Sequence, residues 1–234
     1  MLTKSKYMEE KRQQLGHAHQ KKDDEVFKFF KEAMKDIGSV FTMDAEKRNY
    51  TSERVQLVCV FTFVDVVASY WYEYLNKTGT QRERFVEWVE RYCLTAENQE
   101  YSGTDFEHLT AGNFYAFRSS MVHFFGITGL EGDYKLSIAT NRIDDKLIEK
   151  WRQGFREHGA SVLIIKPKKL YNFVLEGAVV MLGEWKKIID EAQSNEEKKW
   201  QHIEGIDRIY QKIQLEGAAK VSIPEQQGAS LPFD

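Results

Sequence analysis

Proline and glycine, cysteine, and excess positive charge are all scarce in this sequence. Each scarcity excludes a class of fold, of covalent link or of surface. Its 234 residues include three prolines and fifteen glycines, too few for a sandwich of short strands joined by tight turns. Only two cysteines occur, Cys59 and Cys93, and neither has a C-x-x-C partner, so we expect buried free thiols rather than disulfides. Positive charge is not in excess either. The 33 basic and 36 acidic residues give a net charge of −3, which predicts no broad basic surface.

Signals for secretion and for membrane insertion are also weak. Residues 1–12 are charged and lack the apolar segment of a signal peptide. The longest apolar run, residues 55–71, is interrupted by Asp65, which argues against a membrane span. Its Val, Phe and Thr content is typical of strands, but its length without Gly or Pro favours a central buried helix, which we predict. We therefore expect a cytoplasmic protein that does not contact a membrane.

The sequence does have the hydrophobic periodicity of helices. Hydrophobic residues make up 42% of the chain and charged residues 29%, as in an ordinary globular protein. We predict a mainly α fold with minor β: a helical bundle over residues 23–193, preceded by a polar arm at 1–22, either a solvated helix or a frayed segment. Residues 133–166 hold two β-prone runs around an amphipathic helix, which predicts a strand–helix–strand insertion. Residues 194–234 are predicted to be a polar helix and a loose tail.

One predicted helix carries the residues of greatest functional interest. Thr104 to Glu107 fits the S/T-x-x-E capping box, so we expect the helix to run from Thr104 to about residue 125. At about 100° per residue, one face collects the apolar side chains Phe114, Phe117, Met121, Phe124 and Phe125. Ser119 lies opposite this face, His123 lies roughly 150° from its centre, and Arg118 lies on the flank. Ser119 and His123 are four residues apart and share a surface spot within reach of the long Arg118 side chain.

The order of these residues resembles the R-x4–6-H signature of the HEPN superfamily. Four residues separate Arg118 from His123, and the polar Ser119 follows the arginine directly. The superfamily comprises helical-bundle proteins that include metal-independent ribonucleases of toxin–antitoxin and defence systems. The likeness covers roughly residues 50–130 and the helix from Leu170. Ser119 stands where the superfamily often has Asn, and Phe125 stands where some of its toxins have Tyr.

The resemblance implies a HEPN-like helical bundle and a metal-independent endoribonuclease that acts as a homodimer without a cofactor. In that reading His123 is the general acid or base, Arg118 holds the scissile phosphate, and Ser119 orients His123 or donates to the phosphate. RNA would be the substrate, and an antitoxin or another protein would be a partner. The alternative is a non-catalytic helical dimerisation or partner-binding module. In the enzyme Arg118 and His123 line an accessible cleft, whereas in the module they are covered or ion-paired.

A second pattern on the same helix predicts the dimer interface. Ala111, Gly112, Tyr115 and Val122 are small or apolar residues on the side where a solvated helix is polar. Small residues let a second helix approach closely, and an apolar stripe away from the core is typical of an interface. We therefore predict a two-fold homodimer that buries this stripe and joins two sets of Arg118 and His123.

No pattern in the sequence predicts a metal or cofactor site. None of the six histidines has a Glu three residues before it. Di-metal carboxylate bundles require this Glu-x-x-His pattern. HExxH and the glycine-rich nucleotide motifs are absent from the sequence. His17 and His19 have the spacing for weak binding of a transition metal, but they fall in the polar arm. We expect them to be solvated.

Overall fold

The computed structural model describes residues 4–42, 53–95, 109–124, 134–139, 142–159, 161–191 and 195–221. These ranges contain the helices α1 (Lys4–Thr42), α2 (Glu53–Tyr74), α3 (Gln81–Trp88), α4 (Ala111–Phe124), α5 (Asp145–Glu157), α6 (Pro167–Glu191) and α7 (Glu196–Val221). Two strands are described, β1 (Tyr134–Ile138) and β2 (Ser161–Ile165), and a π-helical turn over Val89–Cys93 extends α3. The prediction of a mainly α fold with minor β is therefore confirmed.

Helix α2 is the centre of the bundle and packs against α1, α3, α4, α6 and α7. Leu57, Val60 and Val64 are fully buried in it. By length and composition alone α2 could cross a membrane, but 61% of its most apolar 18-residue window is buried inside the protein. Such burial is typical of the core helix of a soluble protein. The prediction of a central buried helix is confirmed.

Helix α1 differs from its prediction. It is continuous through residues 4–42, whereas the sequence predicted a separate arm up to residue 22. Of the two alternatives for the arm, the helix is the one observed. Polar residues here face a partner helix: Lys22 pairs with Asp207 of α7, and its ammonium lies 5.6 Å from the ring centre of Tyr210. A polar pattern therefore conceals a packed helix face, because the polar groups find their partners on α7.

The predicted strand–helix–strand unit is confirmed. Strands β1 and β2 pair in parallel, from Tyr134 opposite Ser161 to Ile138 opposite Ile165, and α5 forms the crossover. The side chain of Asp144 caps α5 by accepting the N–H of Lys146. The chain leaves α5 through Gly159, whose φ of 69° favours glycine.

Neither cysteine is in a disulfide. Cys93 is buried and Cys59 is half-buried, and both are free. Burial raises the pKa of both thiols, which therefore stay protonated at neutral pH. The prediction of free thiols is confirmed, with Cys59 less buried than expected.

Candidate functional site

Helix α4, which carries the predicted site, begins later than expected. The predicted start at Thr104 lies outside the described residues, but Leu109 and Thr110 are described and are not helical. The Thr110 hydroxyl accepts the N–H of Asn113 at 3.1 Å, and its carbonyl accepts the N–H of Phe114 at 2.9 Å. These bonds make Thr110 the N-cap. The prediction of one continuous helix from Thr104 is therefore wrong, and α4 has 14 residues.

Arg118 is buried and ion-paired. Its exposed fraction is 5%, and its Nε and Nη2 donate to Oδ2 of Asp65 at 2.9 Å and 2.6 Å. Its guanidinium carbon also lies 5.8 Å from the ring centre of Tyr115. For Arg118 these contacts are the ones expected of the non-catalytic alternative, in which Arg118 and His123 are covered or ion-paired.

Asp65, the partner of Arg118, was recognised from sequence only as a charge that interrupts an apolar run. Its side chain is 16% exposed, and burial raises the pKa of its carboxyl, an effect that Arg118 offsets only in part. Asp65 also lines a small cleft of about 220 Å³, together with Ser69, Arg84 and Lys212. The pair thus joins α2 to α4 beside a polar cleft.

The remaining two residues of the predicted catalytic set are Ser119 and His123. Ser119 is half-buried. The backbone of His123 is helical, but its side chain lies outside the part of the chain that the structure describes. The structure therefore brings Arg118 to Asp65, and the approach of Arg118, Ser119 and His123 to one another stays a prediction.

Two residues of the predicted interface stripe, Ala111 and Tyr115, pack within the chain. Ala111 is 2% exposed and belongs to the hydrophobic core, so its prediction as an interface residue is wrong. Gly112 and Tyr115 are half-buried, and the Tyr115 ring centre lies 5.4 Å from that of Phe85 in α3. The side chain of Val122 is outside the described set. Packing of α4 against α3 accounts for the aromatic ring of Tyr115 in this stripe, and the homodimer stays a prediction.

A second polar cluster, missed at the sequence level, lies between α1 and α7. It consists of His19, Asp23 and His202, and one ligand atom from each lies within 4.8 Å of the others. His19 Nε2 is 3.0 Å from Asp23 Oδ2, and His202 Nε2 is 3.4 Å from Asp23 Oδ1. The three side chains are 17%, 10% and 1% exposed. The expectation that His19 is solvated is therefore wrong, because α7 covers it.

Several atoms of this cluster are buried without a hydrogen bond. His19 Nδ1, Asp23 Oδ1 and His202 Nε2 have no hydrogen-bond partner among the described residues. Leaving a buried donor or acceptor unpaired costs about 1–3 kcal/mol, so native proteins rarely collect three such atoms in one place. The cluster therefore has the capacity to bind a further group.

The charge of Asp23 fits a ligand role. Burial raises the pKa of its carboxyl, but the neighbouring imidazoles, His19 more than His202, lower the pKa by more and leave it below its ordinary value. Asp23 is therefore ionised at neutral pH. An ionised carboxylate is the form that binds a metal ion.

Tyr74 supports His202 from the opposite side. Its hydroxyl oxygen lies 2.9 Å from Nδ1 of His202 in a buried contact, and its ring stacks on Trp185 with centres 4.5 Å apart. A Cβ at Gly205 would lie 2.6 Å from the Tyr74 ring, so a glycine is needed for α7 to approach α2 this closely. Burial raises the pKa of Tyr74, so the phenol keeps its proton. The contact fixes the His202 ring with Nε2 toward Asp23.

One local signal for this cluster exists in the sequence. His19 and Asp23 are four residues apart, which places them on the same face of a helix. His202 carries no local signal, because it lies in a helix with a polar pattern near the other end of the chain. Only the packing of α7 on α1 and α2 brings it to Asp23.

Comparisons with known proteins assign neither a family nor a function to this chain. No protein-family model, no curated protein and no solved structure matches the chain. The likeness to the HEPN superfamily therefore stays a prediction that rests on sequence. Function has to be inferred from the geometry of the two polar clusters.

Proposed function

We propose that this protein binds a divalent transition-metal ion between α1 and α7 through His19, Asp23 and His202. The observation that carries the proposal is that one ligand atom from each of these three residues lies within 4.8 Å of the others. Two facing atoms of the cluster, Asp23 Oδ1 and His202 Nε2, are buried without a hydrogen bond. Two imidazoles and one carboxylate form a common ligand set of zinc and non-haem iron sites. The same ligands also accept cobalt.

The distances within the cluster suit an ion. Two ligand atoms that each lie about 2.1 Å from a tetrahedral zinc ion are about 3.4 Å apart, and Asp23 Oδ1 lies 3.4 Å from His202 Nε2. A direct hydrogen bond of that length is weak. The hydrogen bond between His202 Nδ1 and Tyr74 resembles the outer contacts that hold ligating histidines in one tautomer. With Nε2 on the metal, Nδ1 carries the proton and its N–H donates a hydrogen bond to the Tyr74 oxygen.

A bound ion would stabilise the fold, because the three ligands come together only when α1 and α7 are packed. An ion that binds only the native state adds about 2.7 kcal/mol to the free energy of unfolding at one hundred times its dissociation constant. The ion would reinforce the pairing of Lys22 with Asp207 on the same two helices.

Calorimetric titration of the EDTA-treated protein with Zn²⁺ and Co²⁺ tests the proposal. We expect one ion per chain and a higher melting temperature in its presence. His202→Ala and His19→Gln should each abolish this binding. His158→Ala is the matched control, because His158 is exposed and bonds to Gly154 of its own helix. Equal binding by the wild type and His202→Ala, or no binding by the wild type, would overturn the proposal.

Replacing Tyr74 by phenylalanine is expected to weaken metal binding about 10- to 100-fold, as loss of an outer hydrogen bond to a ligating histidine does. The ring and its stacking on Trp185 remain, so the melting temperature of the metal-free protein should stay close to that of the wild type while the affinity for the metal falls. Calorimetry and thermal melts on the same samples measure both. A Tyr74→Phe protein with wild-type affinity would show that this contact does not position His202.

The ribonuclease activity implied by the HEPN resemblance remains a separate candidate, as do the homodimer, the RNA substrate, the antitoxin partner and the cytoplasmic location. Burial of Arg118 against Asp65 supports the alternative of a non-catalytic module. We therefore expect no cleavage of mixed single-stranded RNAs in EDTA, either by the wild type or by His123→Ala. Cleavage by the wild type that His123→Ala abolishes would favour the nuclease instead.

A further inference from the structure

The proposed metal site borders a cleft. His19 and Asp23, two of the three ligand residues, line an open cleft of about 630 Å³. Its volume is in the range of sites for small molecules. His202 lies on the other side of the cluster, where it lines a separate cleft with Tyr74 and Arg208. An ion in the cluster would therefore be held from behind by His202 and would face the larger cleft on the side of His19 and Asp23.

The wall of this larger cleft carries more positive than negative charge. Lys28 and Lys31 of α1 and Lys186 of α6 line it, against the carboxylates of Asp23 and Asp24. Lys28 lies 3.8 Å from Glu32, and both side chains are exposed, so this pairing is weak. A bound divalent ion would add two further positive charges. The cleft would then have the charge that suits an anion.

The number of protein ligands leaves room for a fourth ligand on the metal that does not come from the protein. Within the described ranges, the cluster consists of three residues that each offer one ligand atom. Structural zinc sites have four protein ligands, whereas sites with three protein ligands keep a position for water or substrate. The side chain of Phe27 adds an apolar surface to the same cleft, which suits the body of a small organic molecule.

We infer that an ion at His19, Asp23 and His202 keeps a coordination position toward this cleft, where it binds an oxygen of a small anionic molecule that carries a carboxylate or a phosphate. The inference rests on the metal binding proposed above and adds the class of ligand. The metal supplies the directional bond, and Lys31 and Lys186 supply charge on two different helices. The anion should therefore bind much more tightly to the metal-loaded protein than to the metal-free protein.

The test uses the full chain loaded with Co²⁺, whose visible absorption bands depend on the ligands and their number. Titration with inorganic phosphate and, in a second arm, with acetate should shift these bands in a saturable way. The two arms separate a preference for phosphate from one for carboxylate. The variant Lys31→Met with Lys186→Met should weaken the anion affinity by about two- to thirty-fold, as expected for the loss of two exposed charges. Lys198→Met is the matched control, because Lys198 lines the cleft on the His202 side.

The outcomes separate this inference from the proposal on which it rests. Cobalt bands that appear but do not respond to phosphate or acetate would overturn the anion site and leave the metal site standing. Equal calorimetric affinity of phosphate for metal-loaded and metal-free protein would also overturn it. If no cobalt bands appear, both fail. If the double lysine variant and Lys198→Met bind phosphate equally well, the lysines of this cleft have no part in recognition and the inference is wrong.

Discussion

Replacing Arg118 by alanine is expected to lower the free energy of unfolding by about 3–5 kcal/mol, the range for removing one partner of a buried ion pair. The reason is the environment of Asp65, which keeps its carboxyl inside the bundle when the guanidinium is lost. Two hydrogen bonds, at 2.9 Å and 2.6 Å, disappear with it. Urea denaturation followed by circular dichroism measures the change.

A matched arginine elsewhere provides the control. Arg91 pairs with Glu184 at 3.2 Å, but the two side chains are 55% and 41% exposed. Exposed pairs contribute about 0–1 kcal/mol, so Arg91→Ala should have little effect. If Arg118→Ala is as mild as Arg91→Ala, Arg118 is not a structural residue and the catalytic reading of α4 regains support.

The double variant Asp65→Leu with Arg118→Met distinguishes the loss of a partner from the loss of packing. Replacing both members of a buried pair by apolar residues of similar size removes the unpaired charge and is often neutral or stabilising. We expect it to be more stable than Arg118→Ala. A double variant as unstable as Arg118→Ala would indicate that the shape of this contact matters more than its charges.

The elements of the fold could be predicted where their signal is local. The apolar length of α2 and the alternation of strand, helix and strand around α5 each depend on a few neighbouring residues. The start of α4 shows the limit of such signals. Thr104 and Thr110 both have the side chain of an N-cap, and only the structure shows that Thr110 accepts the N–H of Asn113 and caps α4.

The sites were harder to predict than the helices because they depend on contacts between distant segments. Asp65 interrupts an apolar run, and nothing near it in sequence shows that Arg118 neutralises it. Likewise, the pattern around His202 is that of a solvated helix. The missing information is the close approach of α7 to α2, which depends on the absence of a side chain at Gly205. A polar pattern predicts a solvated helix face, but α7 covers His19 on α1, so this prediction fails at the cluster.

Replacing Trp185 by alanine is expected to destabilise the protein by about 3–5 kcal/mol and also to weaken metal binding. The side chain is 1% exposed, so its removal leaves a large cavity, with the usual cost of truncating a buried tryptophan. Its ring stacks on Tyr74 and meets Phe30 edge-to-face at 5.7 Å. Without that support Tyr74 can move, and its hydrogen bond to His202 loosens. Urea denaturation and calorimetric titration with Zn²⁺ on the same protein measure the two effects.

Trp151→Ala is the control that shows whether the effects of Trp185→Ala come from that position or from the loss of a tryptophan in general. Trp151 is 40% exposed on α5, far less enclosed than Trp185, so its removal should cost much less stability and leave the affinity for Zn²⁺ unchanged. The comparison also tests how the site is built. If Trp185→Ala destabilises the fold but binds Zn²⁺ as tightly as the wild type, His202 does not depend on Tyr74 for its position. The metal ligands would then be held by α1 and α7 alone, and Tyr74→Phe should likewise leave the affinity unchanged.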